Sequence, residues 1–143
     1  MPKGKIALDF GLPTPRDLPA LHQNIRHLSR EILSMMRQPG YLPLVRMIIA
    51  EASRFPQLGT LFFSTVTQRG LALFASLLRE AREQEIIADV NIDAVAQTWL
   101  GGLLTAVIMS LVLGEQAHPL TLDHADAVVE PFARVALMSS TSA

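Results

Sequence analysis

Hydrophobic residues recur along this chain at three- and four-residue steps, and no stretch sustains the strict alternation of a half-buried strand. Leu18, Leu21, Ile25, Leu28, Ile32 and Met35 make the first stripe. It follows Thr14-Pro15-Arg16-Asp17, where Thr14 or Asp17 can cap a helix and Pro15 suits its first turn. Gln38-Pro39-Gly40 ends it. A second helix, from about Tyr41 to Phe55, lines up Leu44, Val45, Ile48, Ala52 and Phe55. At about 100° per residue, Glu51 falls on the edge of that apolar face, where an unpaired carboxylate is costly and a partner is expected.

Beyond Pro56 the stripe Leu58, Leu61, Phe62 and Val66 is followed by Leu71, Phe74, Leu77, Leu78 and Ala81. The two are out of phase by roughly a third of a turn on one continuous helix. Thr67-Gln68-Arg69-Gly70 sits at the change, which predicts two helical pieces joined by a kink or break there. Asn91 is placed to cap a long helix, Ile92–Leu113, which Gly114 stops. That helix is apolar nearly all round beyond Trp99, so it should be covered on more than one side. Ala94, Thr98, Gly101 and Thr105 form one small-residue face, and Trp99, Leu103, Ala106 and Ser110 form another. Thr121 can cap a last helix with the stripe Ala125, Val128, Val129, Phe132, Val135 and Ala136, bent at Pro131. The expected fold is all-α, a bundle of about five to six helices. Residues 1–13 read as an N-terminal extension or linker, 14–138 as the helical domain, and 139–143 as a flexible tail.

Composition sharpens this picture at one point. Half of the 143 residues are hydrophobic and only 17% are charged, below the usual quarter. So thin a polar shell suggests apolar surface covered by something else, most simply a second copy of the chain. Residues 1–82 hold 11 of the 12 Lys/Arg against five acids, while residues 83–143 hold one against eight. The basic residues are scattered singly, without the clustering that marks a nucleic-acid surface. The apolar window Trp99–Leu113 is shorter than the roughly 20 residues of a membrane span and is punctuated by Gly101, Gly102, Thr105 and Ser110. Asp9 interrupts the only short apolar stretch near the start, which does not read as a signal peptide. A cytoplasmic protein without a membrane partner is expected.

A search for chemistry finds little. The chain has no cysteine, and His22, His27, His118 and His124 make no pair at metal-ligand spacing. Neither a phosphate loop nor a nucleophile elbow occurs. Glu80/Glu83 and Asp123/Asp126 lie on charged helix faces and read as solvated surface. No enzyme activity, metal or cofactor is expected. What remains is a surplus of large apolar groups, including Met47, Phe62, Phe63, Phe74, Trp99 and Met109. Singly, each reads as ordinary core. Phe62 and Phe63, however, point roughly 100° apart, so both cannot face one core, and one can line a cavity or a partner surface.

The segment Ala50–Phe63, AEASRFPQLGTLFF, together with LVRMII before it, resembles the helix–stop–helix corner in the C-terminal regulatory domain of tetracycline-repressor (TetR/AcrR) family transcriptional regulators. Arg79–Leu104, REAREQEIIADVNIDAVAQTWLGGLL, resembles that family's long helix, short loop and following helix. The resemblance spans about residues 18–137. It implies a homodimer joined through the last two helices of each chain in a four-helix interface, with Thr98, Gly101, Thr105, Val128, Phe132 and Val135 packed there. It also implies a small, mostly apolar effector molecule, for which Met47, Phe62, Val66, Phe74, Trp99 and Leu103 are the expected ligand-binding residues. Family members carry an N-terminal three-helix DNA-binding head with a helix-turn-helix, and the residues before Leu18 do not pattern that way. Contact with DNA is therefore implied only through a head not present in this chain. Glu51 and Arg54, one helical turn apart, are expected to form a structural ion pair at the corner. The alternative reading is a headless, dimerising interaction module that pairs with a partner regulator and binds no small molecule.

Overall fold

The computed structural model describes residues 14–141, with side chains described for 14–131 apart from Phe63 and Val66. Six α-helices follow one another among the described residues: α1 (Leu18–Met36), α2 (Tyr41–Glu51), α3 (Pro56–Phe62), α4 (Gln68–Glu83), α5 (Ile92–Leu113) and α6 (Leu122–Thr141). No strand occurs among the described residues. The Asp17 carboxylate accepts the Ala20 amide at 2.9 Å and so caps α1, which settles the choice between Thr14 and Asp17. Asn91 does the same for α5, accepting from the Ala94 amide at 3.0 Å. Gly114, at φ +94°, ends that helix in a backbone conformation that side-chain-bearing residues resist.

The phase change between the two stripes is carried by a π-helical turn, Phe63–Thr67, rather than by a break at Thr67–Gly70. A π turn adds one residue to a helical turn, which rotates everything downstream by about 100°. That rotation brings Phe74, Leu77, Leu78 and Ala81 to the core without interrupting the rod. Gly70 is buried one turn later, where an added Cβ would meet Ile32 Cδ1 at 3.5 Å.

At the other end of α4 the chain closes in a Schellman motif. The Ile86 amide bonds the Ala81 carbonyl at 2.8 Å, and the Glu85 amide bonds that of Arg82 at 3.0 Å. Ile86 is buried beside the helix end, but the left-handed position is taken by Glu85, at φ 61°. A side chain there costs about 1 kcal/mol relative to glycine. Glu85→Gly should therefore stabilise the fold by about that amount, seen as a higher urea midpoint at unchanged slope.

α1 lies along α6 in the most extensive helix pairing, α4 packs on α5 and α1, and α2 with α3 flanks this layer. The core joins Leu21, Ile25, Leu28 and Leu33 of α1 to Phe74 and Leu78 of α4, Trp99 and Leu103 of α5, and Ala125 and Val129 of α6. Two expected faces turn out differently. In α1 the inward positions include Leu33 and Met36, and Met35 is exposed. The second helix stops at Glu51 instead of running to Phe55; in α2 only Leu42 is buried, while Leu44, and Phe55 in the turn beyond it, point outward. A helix carrying apolar residues on every side gives no directional signal, and the choice of face falls to tertiary packing.

Candidate functional site

α5 separates its residues into the two faces that its sequence pattern indicates. Trp99, Leu103, Ala106 and Ser110 are buried. The Trp99 indole stacks on Phe74 with centroids 4.3 Å apart and planes 8° from parallel. Its Nε1–H donates to Ser29 Oγ at 2.8 Å, and that hydroxyl donates onward to the Ile25 carbonyl at 2.7 Å. The inward face is thus a buried contact with its indole donor satisfied.

The outward face is apolar and uncovered. Ala94, Thr98, Gly101 and Thr105 are all exposed, and the same three- and four-residue steps continue to Ile108 (56% exposed) and Val112 (74%). The two threonines do not make this face polar. Thr98 Oγ1 donates to the Ala94 carbonyl at 2.9 Å and Thr105 Oγ1 to the Gly101 carbonyl at 2.8 Å, which turns the hydroxyls back into their own helix. A Cβ added at Gly101 would meet nothing within 4 Å. From Ala94 to Val112 the stripe runs about 27 Å at 1.5 Å per residue. By length and composition α5 could cross a bilayer, yet only 39% of its most apolar window is buried. Much of a long, apolar helix is therefore left exposed.

α6 flanks this face and is locked to α5 at two points. Val128 lies against Gly102, where an added Cβ would come within 3.1 Å of Val128 Cγ1. The imidazole Nε2 of His124 donates to the Gly102 carbonyl at 2.9 Å. On the far side, Asp126 holds α6 to α1 through Arg30 Nη1 at 2.8 Å.

The remaining sequence-derived candidates are spread out. Phe74, Trp99 and Leu103 come together, as closely packed core. Phe62 is half-buried, 6.2 Å from the Tyr41 ring, and burial raises the Tyr41 phenol above its ordinary value. Met47 is 51% exposed on α2. The side chain of Val66, the remaining expected ligand-binding residue, lies outside the described residues. Of the expected dimer residues, Thr98, Gly101 and Thr105 lie on the bare stripe and Val128 beside it, while the side chains of Phe132 and Val135 lie outside the described residues. Arg54 Nη1 and Glu51 Oε1 stand 3.3 Å apart, but their side chains are 71% and 37% exposed. In water such a pair contributes little, in the range of about 0–1 kcal/mol.

Between α4 and α5, next to the π turn, an open cleft of about 570 Å³ has a floor of Leu71, Ala72, Ala75 and Ala96. Ser64, Gln68, Arg69, Arg79, Asp93 and Gln97 supply its polar rim. Sequence pattern alone missed this feature. Its one local signal is the phase change that the π turn carries.

With this architecture in place, comparison with known proteins is decisive on one point. The family model of the AefR-like transcriptional repressor C-terminal domain matches residues 23–138. The chain belongs to that family. No curated protein and no solved structure gives a significant match. The AefR-like domain is a C-terminal domain of a TetR-family regulator, and its helices α1 to α6 fall almost wholly within the matched span.

Proposed function

We propose that this AefR-like domain is the dimer-forming and effector-sensing half of a cytoplasmic repressor. Two copies pair through α5 and α6. A small, mostly apolar effector bound among the helices of each copy alters how the pair is held, and so controls DNA binding by a helix-turn-helix head outside these residues. The bare stripe of α5 is the observation that carries the reading. Its threonine hydroxyls are satisfied internally, its glycine admits a close backbone approach, and Ile108 and Val112 offer bulk at one end. A two-fold axis through such a stripe covers both copies at once, because an isologous interface uses the same patch twice. With α6 added on each side the arrangement is a four-helix interface. For regulation, the effector must bind one arrangement of the pair more tightly than the other, since equal affinity shifts nothing.

Native mass spectrometry of the freshly purified chain tests this directly. A dimer carrying additional non-protein mass is the expected result, and the added mass gives the size of the effector. A chain that remains monomeric at micromolar concentration overturns the reading of the α5 face.

A further inference from the structure

Three features of the cleft between α4 and α5 define what it can hold. Its volume, about 570 Å³, falls within the roughly 300–1,000 Å³ of ordinary small-molecule sites. Its floor is apolar, formed by Leu71, Ala72, Ala75 and Ala96. Its charges do not balance: Arg69 and Arg79 face a single carboxylate, Asp93. That carboxylate is engaged at one end, where its Oδ1 stands 3.9 Å from Arg79 Nη2. The Arg69 guanidinium, at the other end beside Ser64 and Gln68, makes no ion pair or side-chain hydrogen bond among the described residues. The two arginines are ten residues apart on α4, or about 15 Å along the helix.

We propose that this cleft is the effector site and that its ligand is an elongated amphipathic monoanion. This rests on the effector-sensing role proposed above and specifies its place and chemistry. The anionic head pairs with the Arg69 guanidinium, whose fork of donors matches a carboxylate, with the Gln68 amide beside it. The apolar body lies along Ala72, Ala75 and Ala96, where the absence of larger side chains leaves the room. The Arg79–Asp93 pair closes the far end. The π turn matters because it sets the rotation of α4: without its extra residue, Arg69 and Ala72 would be turned by about 100° from the groove.

The test compares decanoate with decanol and decylammonium, three probes sharing one tail, by isothermal titration calorimetry on the full chain. Decanoate should bind saturably at one per chain, at least about tenfold more tightly than decylammonium. Arg69→Gln should weaken decanoate by about 10- to 100-fold and leave decanol unchanged, as loss of a charge-assisted hydrogen bond implies. Ala72→Trp, at an exposed position, should abolish binding of all three by filling the groove. Equal affinity for decanoate and decylammonium, with no effect of Arg69→Gln, overturns the assignment. If binding survives Ala72→Trp and is lost in Leu103→Phe, the effector sits in the core, so this cleft is wrong while effector sensing stands. If none of the three probes binds, this assignment falls, while the effector-sensing reading stands or falls on the added mass that native mass spectrometry detects.

Discussion

Replacing Thr105 with arginine should convert a dimeric chain into a monomer while leaving each protomer folded. Thr105 is exposed, and one turn before it Gly101 leaves open space. In a single chain the new guanidinium therefore extends into water at little cost. In the proposed pair it is buried against apolar surface, and symmetry buries it twice. An unpaired buried charge costs roughly 3–5 kcal/mol. Even one such penalty raises the dimer dissociation constant by about 10²- to 10⁴-fold at 1.4 kcal/mol per decade. Sedimentation equilibrium reads the association, and far-UV circular dichroism confirms that the helices persist. Leu61→Arg serves as the control, because Leu61 is 64% exposed on α3, a helix that packs on neither α5 nor α6, and its replacement should leave the dimer intact. A Thr105→Arg chain that dimerises as tightly as the parent would remove α5 from the interface.

The long helix α5 was legible in sequence because its signals agree: a capping asparagine, a terminal glycine, and two faces distinguished by residue size. Both ends and both faces of the structure follow that pattern. α2 was not legible in the same way. Leu42, Leu44, Val45, Met47, Ile48 and Ile49 surround its axis, so periodicity selects no face, and the packing of α1 and α5 buries Leu42 instead of Leu44. The shift between the stripes of α3 and α4 was visible, but a phase change of that size fits a kink or one inserted residue equally well. Only hydrogen bonding separates them, and it places the extra residue in the π turn Phe63–Thr67. Ser29 was legible in retrospect, as a small polar residue inside the apolar stripe of α1, between Ile25 and Ile32. The cleft was the least accessible feature. A local pattern tells which side chains turn inward but not how much space two helices leave between them, so Phe74 and Trp99, which singly read as ordinary core, were also expected, with Leu103, to line a cavity. In the structure they are closely packed, and the open volume lies on the other side of Ala75 and Ala96.

Truncating Trp99 to alanine should be among the most damaging single changes the fold can suffer. Its side chain is fully buried, and removing a large buried aromatic costs about 3–5 kcal/mol. Two specific losses come with it. The stack on Phe74 is worth roughly 0.5–1.5 kcal/mol beyond its burial, and the Ser29 hydroxyl loses its donor. Against a total stability of about 5–15 kcal/mol, the variant should be largely unfolded or close to it at 37 °C. Because Trp99 is the single tryptophan, unfolding in urea must be followed by circular dichroism, at one fixed protein concentration so that dimerisation does not shift the midpoint. Trp99→Phe separates the contributions: it keeps an aromatic ring against Phe74 and removes only the indole donor and some volume, so it should cost about 1–3 kcal/mol. Ser29→Ala should cost a similar amount by leaving the buried Nε1–H unpaired. The double variant should then be less damaged than the sum of the two, by about 1 kcal/mol, since the hydrogen bond can be lost only once. Strict additivity would show that the Ser29–Trp99 bond contributes nothing, and that the pair is held by packing alone. The same energetics bear on where an effector can sit. A molecule entering between Phe74 and Trp99 must first separate a stacked pair and strand a buried donor, whereas one entering beside Ala75 and Ala96 displaces only water.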